Sequence, residues 1–500
     1  MNHRHHPRSI TPLCAAVLVA LGLTTTPHTV SAASHKYTAD ETITEERNHQ
    51  QGFDAGIDTA VVLDITGSGH LTNGGSVNLG VNQDGHGTVR VIGPDARFTG
   101  PGSYSTDVGV SGKGTFVVQE GGGAWANTLR VGVNKGSFGS VHVTGAGSRL
   151  KARYLYLGHD GEGLLRIDGG AKVDVEADVL GDGRSPGSFS THRRSTRIEI
   201  SGKDSQLKAN NVRIGGQLLI EDGAQLRSNK GGVYTASSGA GAAVITGTGS
   251  RWVNETELDV HTGLDIRNGA TLETETLEIK GTRTINSTTT DLTREQLRVT
   301  GTGSKIKAAN GIRIGELSTS GGTLTISEGG RVEAGGKLHI GGGSYLVLGG
   351  AIGGTFTEPT WQPAVAAGEL DDSVITFHTV SLGLAFNHTG AITLDNTLRS
   401  ENDALHRNGG ALINVAGTTA LTGDLSKFGG RVNVHGGTLV IDTDTYTDAK
   451  GYDTIGDAKP RQYMFVDGGT LVLNGESGFR WEGREGDAIT SIRTAWPTAS

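Results

Sequence analysis

Apolar and polar residues alternate along this chain in short runs, and a turn interrupts each run before it can become a long strand. Residues 129–175 carry the arrangement twice. Leu129-Arg130-Val131-Gly132 and Leu155-Tyr156-Leu157-Gly158 each close on glycine, cross a glycine-rich turn, and resume as Val141-His142-Val143 and Leu165-Arg166-Ile167. A GAGS or GGAK turn then follows. Period-two alternation predicts β-strands. Strands this brief bury too little to stand alone and hold only where each stacks on a copy of itself.

Two turn types recur. One leaves its strand as apolar-x-Ile/Val-x-Gly-x-x-Ser, at 89–98, 141–150, 198–207, 244–252 and 299–306. The other, apolar-x-Ile/Val-x-x-Gly-Gly/Ala, falls between them at 116–124, 165–173, 218–226, 264–272 and 324–332. Units recur about 20 to 33 residues apart, the length of one solenoid coil. The pattern predicts an all-β chain folded as a right-handed parallel β-helix, with a column of Val, Ile and Leu inside and turns projecting outward. It divides the chain into a polar lead-in (33–52), a repeat β-helix (53–348), a loop with Pro359, Trp361 and Pro363 (349–373) and a second β-helix-like segment (374–500). Interruptions at 181–197 and 282–295 break the spacing. Outgrowths of this kind are where solenoids carry function.

Composition supports this and excludes alternatives. Glycine is 81 of 500 residues, over twice the usual share of about 7%. Collagen would need far more than 10 prolines, and disorder would lack the aliphatic register. The formal charge is −8, which argues against nucleic acid as a partner because phosphate contacts need clustered cations. The one basic run, His192-Arg193-Arg194 with Arg197, reads as a solvated loop. Residues 1–32 read as a cleaved signal peptide: Arg4 and Arg8, an apolar core over 10–23, then Val30-Ser31-Ala32. Cleavage is expected after Ala32, with Ala33 the second choice. The apolar core is too short for a permanent anchor. Cys14, the single cysteine, leaves with this leader, so the exported chain has neither a disulfide nor a cysteine zinc site.

The leader, the Gly-x-Gly turns and later strands such as 410–424 and 429–442 resemble the passenger region of a Gram-negative autotransporter (type V secretion). The repeats over 79–332 resemble that family's passenger-associated repeats. The residues carrying the likeness are Val131-Gly132-Val133, Gly145-Ala146-Gly147-Ser148-Arg149-Leu150, Leu157-Gly158, Asp160-Gly161-Glu162-Gly163 and Ile167-Asp168-Gly169-Gly170. They cover most of the chain after the leader and build coils, so they speak to architecture rather than activity. The resemblance implies a non-enzymatic, virulence-associated passenger, adhesin-like or host-factor-binding, at the cell surface, in the outer membrane or in the medium. It would be periplasmic if translocation fails. The implied partners are the export machinery and a host-cell surface, matrix or serum factor. The family ends in a translocator barrel of strands about ten residues long with aromatic girdles, and nothing after Val374 reads that way. Three readings follow for residues 374–500: a truncated passenger segment, a barrel supplied elsewhere, or a resemblance that covers only the repeat; membrane attachment is expected only through a barrel not present in this chain.

Chemistry-bearing motifs are few. The segments around Asp64 and His86 resemble the Asp and His segments of subtilisin-like proteases. The nucleophile segment is missing, and His86 occupies a repeat position whose equivalents are Phe138 and Glu162. Gly183-Arg184-Ser185-Pro186-Gly187 fits the nucleophile-elbow pattern, but Pro186 lacks the N–H that would donate to an oxyanion. Asp84, Asp160, Glu162 and Asp182 read as solvated turn carboxylates; no calcium-binding repeat recurs, and no metal or cofactor is expected. His142, His261, His339 and His435 fall mostly one per coil, as solvent-facing strand residues. Trp361, Tyr345 and Phe356 read as a lid closing the first array rather than a binding anchor.

Two other functions fit the pattern. A carbohydrate-active β-helix enzyme, a polysaccharide lyase or glycosidase, would stack Asp, Glu and a Lys or Arg base on one face in adjacent coils. The acids here fall mostly in turns, without a vertical cluster readable from spacing. A surface or biofilm matrix protein would differ from the adhesin only in its partner.

Overall fold

The computed structural model describes residues 34–181, 196–234, 242–280, 296–315, 321–354, 359–378, 382–401, 410–442, 444–445, 464–475 and 492–494. Leader residues Cys14, Ala32 and Ala33 lie outside them. The described residues hold no helix; they wind as a parallel β-helix.

One long sheet is built by a single strand from each coil. Ala60–Thr66, His86–Ile92, Lys113–Gln119, Phe138–Thr144 and Glu162–Asp168 pair in order, all parallel and in register. Their inward positions form columns: Leu63, Val89, Phe116, Val141, Leu165 and Ile198 sit one above the next, all buried. Each such side chain contributes about 1.5 to 3 kcal/mol by leaving water, so stability is spread along the stack rather than held in one nucleus.

The second sheet takes longer strands that bend. Gly123–Val131, Arg149–Leu157 and Gln206–Ile214 alternate buried and outward, except that Asn127-Thr128, Arg153-Tyr154 and Asn210-Asn211 are successive non-buried pairs. Two outward residues in a row reset the period-two phase, so each strand supplies two faces with a corner between. A neighbouring coil shows the division outright: Arg97–Thr99 and Ser105–Val108 are separate strands, and both pair with Gly123–Val131. Inside that corner farther along, Trp252 Nε1 donates to Ser228 Oγ (2.9 Å), Ser228 to Asn254 Oδ1 (2.8 Å), and Asn254 Nδ2 to Thr274 Oγ1 (3.1 Å).

The two turn types alternate coil by coil and are stitched together. In the Gly-Gly/Ala type, the two turn residues both have positive φ, as a type I′ turn demands. Asp222-Gly223 (φ 55° and 80°) and Asn268-Gly269 (56° and 82°) are examples. Their glycine N–H groups donate to the serine of the other turn type one coil on: Gly121 to Ser148, Gly170 to Ser205, Gly223 to Ser250 and Gly269 to Ser304, at 2.9–3.0 Å. In return Gly93, Gly145, Gly202 and Gly247 donate to carbonyls of the coil that follows. The repeat unit is therefore two coils.

Two segments differ from the sequence reading. Residues 35–49 are not a lead-in: His35–Tyr37, Glu41–Ile43 and Glu46–His49 pair with Phe53–Ala55, Leu63–Ile65 and His70–Asn73 as the first coil. Only Tyr37 and Ile43 there are buried apolar residues, too few for the alternation to register. Within 349–373, Ile352–Gly354 pairs antiparallel with Pro359–Trp361. This hairpin lies on the outer face of the first sheet, where Tyr345, Val347, Ala385 and Ile413 make a separate apolar cluster with Trp361 packed on it. Tyr345 and Trp361 meet edge to face at 6.2 Å. Trp361 thus covers a flank rather than closing an end, and Phe356 lies outside the described residues. Beyond it, parallel stacking continues through Gly383–Leu394, Ala411–Leu421 and Thr438–Asp442.

Candidate functional site

Register brings together what spacing along the chain did not. On the second face of the bent sheet, outward positions of successive coils align Arg213, Gly232, Asp259, Glu278, Arg313 and His339. This is the vertical cluster of acids and cations that the sequence reading did not find.

Tyr234 follows the strand Gln225–Val233, and its ring folds back across Gly232. A Cβ at Gly232 would come within 2.4–2.6 Å of that ring, so glycine is required for the aromatic to lie against the sheet. On one side the Arg213 guanidinium sits 4.9 Å from the Tyr234 ring centre, a cation–π distance. On the other, His261 stacks on Tyr234 at 4.8 Å and 23°. One coil further, Lys280 Nζ lies 2.9 Å from Asp259 and 2.5 Å from Glu278. Lys230 pairs with Glu257 at 2.7 Å.

The electrostatics follow from these contacts. Burial works against the charge on Lys280, but its hydrogen bonds to Glu278 and Asp259 outweigh burial and hold its pKa well above the ordinary lysine value. These contacts favour its cationic form. Burial likewise pushes the Tyr234 phenol up, so it stays neutral. Glu257, Asp259 and Glu278 lie close enough for one oxygen of each to share a cation. Lys280 and Lys230 already supply the countercharge there.

The other sequence candidates resolve singly. Asp64 faces Arg90 across the sheet and binds it through both carboxylate oxygens at 2.6 Å, while His86 faces Ala60. Four strand positions, about 13 Å, separate the two levels, so no protease pair forms. His86 aligns with Lys113, Phe138 and Glu162, as its repeat position requires. His142 meets Asp168 at 2.9 Å and His435 meets Asp467. Asp182, Ser185 and the basic run 192–194 lie outside the described residues. No family model, no curated protein and no solved structure matches this chain.

Proposed function

We propose that the chain is an exported, non-enzymatic spine, a passenger of the autotransporter type, that binds a host-cell surface, matrix or serum component along one lateral corner. One positional observation carries this. After the bent-sheet strands Lys172–Leu180, Gln225–Val233 and Thr271–Ile279, 15, 8 and 16 residues of sequence precede the next strand of the first sheet, which begins at Thr196, Ala242 and Gln296. The coils between turn tightly, through Gly215-Gly216 and His261-Thr262. The added sequence thus follows strands of the sheet that carries the Tyr234–Lys280 cluster, and solenoids commonly bind through the face that gathers their insertions.

The cluster suits recognition better than chemistry. Its acids are matched by cations, and the hydrogen bonds from Lys280 to Asp259 and Glu278 favour its charged form. Binding of the purified chain to cultured host cells and to extracellular matrix tests this reading. The expected result is saturable binding, weakened several-fold by Tyr234→Ala or Arg213→Gln with the circular dichroism unchanged. Absence of binding to both surfaces would count against it.

The Asp259–Glu278 column is the observation that favours a second reading, a carbohydrate-active enzyme. Release of new reducing ends or unsaturated sugars from a polysaccharide panel, abolished by Asp259→Asn, would establish that reading in place of the first.

A further inference from the structure

The net negative charge hides a cationic face. On the other face of the bent sheet, Arg97, Arg149 and Lys172 occupy one outward column, with Gly123 between the first two. Trp125 and Lys151 occupy the next column, followed by Asp174 and then Lys208. The first column continues through Gln206 and Gln225 to Arg251. Coils lie about 4.8 Å apart, so the strip from Arg97 to Arg251 runs for about 30 Å along the axis.

Arg149, Lys151, Lys172 and Lys208 are exposed, and among the described residues no salt bridge engages any of them. They line a shallow depression of about 80 Å³ together with Asp174 and Gln206. Asp174 and Glu176 are the acids within the strip. No run of basic residues in the sequence marks it, because no coil contributes more than three cations and the coil of Gly123 and Trp125 contributes none.

We infer that this face binds a linear acidic polysaccharide lying along the helix axis. The strip runs along the axis, with its cations separated by one, two or three coil spacings. A chain of sugar rings carrying one carboxylate or sulfate per ring or per disaccharide presents its charge in the same way, as a single line of anions. Trp125, half-buried at the head of the second column, offers its indole to the apolar side of one ring. A nucleic acid duplex fits less well. It carries a charge for about every 1.7 Å of axis, and its curvature would carry successive phosphates away from a straight strip. Single-stranded nucleic acid is held by successive aromatic platforms, whereas Trp125 is the one aromatic among the described outward positions of this strip. The inference rests on register and charge, not on export or on the corner at Tyr234.

The test is titration of the purified full-length chain with a polyuronate, with neutral dextran, and with single- and double-stranded DNA at equal charge concentration. The expected result is binding to the polyuronate that weakens steeply between about 50 and 200 mM salt, with no binding to dextran and weaker binding to DNA. The double variant Arg149→Gln/Lys172→Gln should lose about tenfold in affinity, with circular dichroism showing it folded. Arg331→Gln, on the same face but already paired with Glu333 and Glu369, should bind as the parent does. Failure to bind polyuronate, unchanged affinity of the double variant, or DNA bound as tightly as polyuronate would each overturn the inference. None of these outcomes bears on export or on cell binding through Tyr234, which are measured separately.

Discussion

Ser148, Ser205, Ser250 and Ser304 are fully buried, and each hydroxyl accepts the N–H of a glycine one coil earlier. Removing one leaves a buried donor without its partner, which costs about 1 to 3 kcal/mol. Ser250→Ala should therefore speed amide exchange around Gly223 about tenfold or more, with exchange at the distant Ser148 turn unaltered; mass spectrometry of exchanged peptides reads both. Glycine acts differently at 87, 114, 139 and 163, inward positions of the first sheet where the chain returning from the previous coil passes close. A Cβ on Gly139 would stand 2.1 Å from the Val108 carbonyl and 2.4 Å from the Gly132 nitrogen, both backbone. Gly139→Ala should destabilise by about 3 kcal/mol or more, seen as a lowered urea midpoint. The turn glycines were legible as a motif. The positive φ of Glu120, Asp222, Asn268 and Glu328 was not, because a side chain at a glycine-type position looks ordinary in a sequence. Aligning them with Gly169, which fills the same place at φ 63°, is the signal that would have found them.

Strands are legible from period two, but the partner above each strand is not, because coil length varies. Lys280 reaches Asp259 across 21 residues, while Lys230 reaches Glu257 across 27. No fixed offset exposes either ladder, the acidic one at Asp259 or the basic one at Arg149. Arg149 and Lys172 each look like a solvated charge until register stacks them. The Lys280 ladder carries a pH signature. Its folded pKa lies above the ordinary 10.5, since hydrogen bonds to Glu278 and Asp259 overcome the burial that would lower it. Its contribution is therefore complete below pH 10.5 and is lost as pH rises through the folded value. Lys280→Gln should lower the melting temperature at neutral pH, and the gap from the parent should narrow progressively above pH 10.5. A gap that stays constant into the alkaline range would mean that the two ion pairs do not stabilise this coil.

Across the whole molecule, the column that holds Ile and Leu upstream changes character near residue 386. The second inward column of the first sheet runs through Ile326, Leu348 and Phe386 and then reaches Asn414. Asn414 is buried; it accepts from the Thr419 hydroxyl at 3.0 Å and donates to the Gly436 carbonyl at 2.7 Å. Thr419 in turn meets His388 Nε2 at 2.9 Å. Burial holds His388 below the ordinary histidine value of 6.5 despite a backbone hydrogen bond to Thr389 that works the other way. As pH falls below 6.5 the unfolded chain takes up a proton that the folded one refuses, and stability drains until the folded pKa is reached. Strands Gly383–Leu394 and Ala411–Leu421 should thus become protease-sensitive on mild acidification, before residues 60–180 do, and His388→Gln should remove that pH dependence. In a solenoid each coil holds mainly its neighbours, so such loosening stays local. The second β-helix-like segment was legible in the sequence, but the buried polar network inside it was not, because His388 and Thr419 lie 31 residues apart.

We propose that the faces of this spine work outside the cell that makes it. Fractionation of cells expressing the full chain tests that claim most directly, using an antibody against residues 53–348 and N-terminal sequencing of the product. The account expects signal at the cell surface or in the medium, from a chain cut after Ala32 or Ala33. An uncut chain confined to the cytoplasm would contradict it.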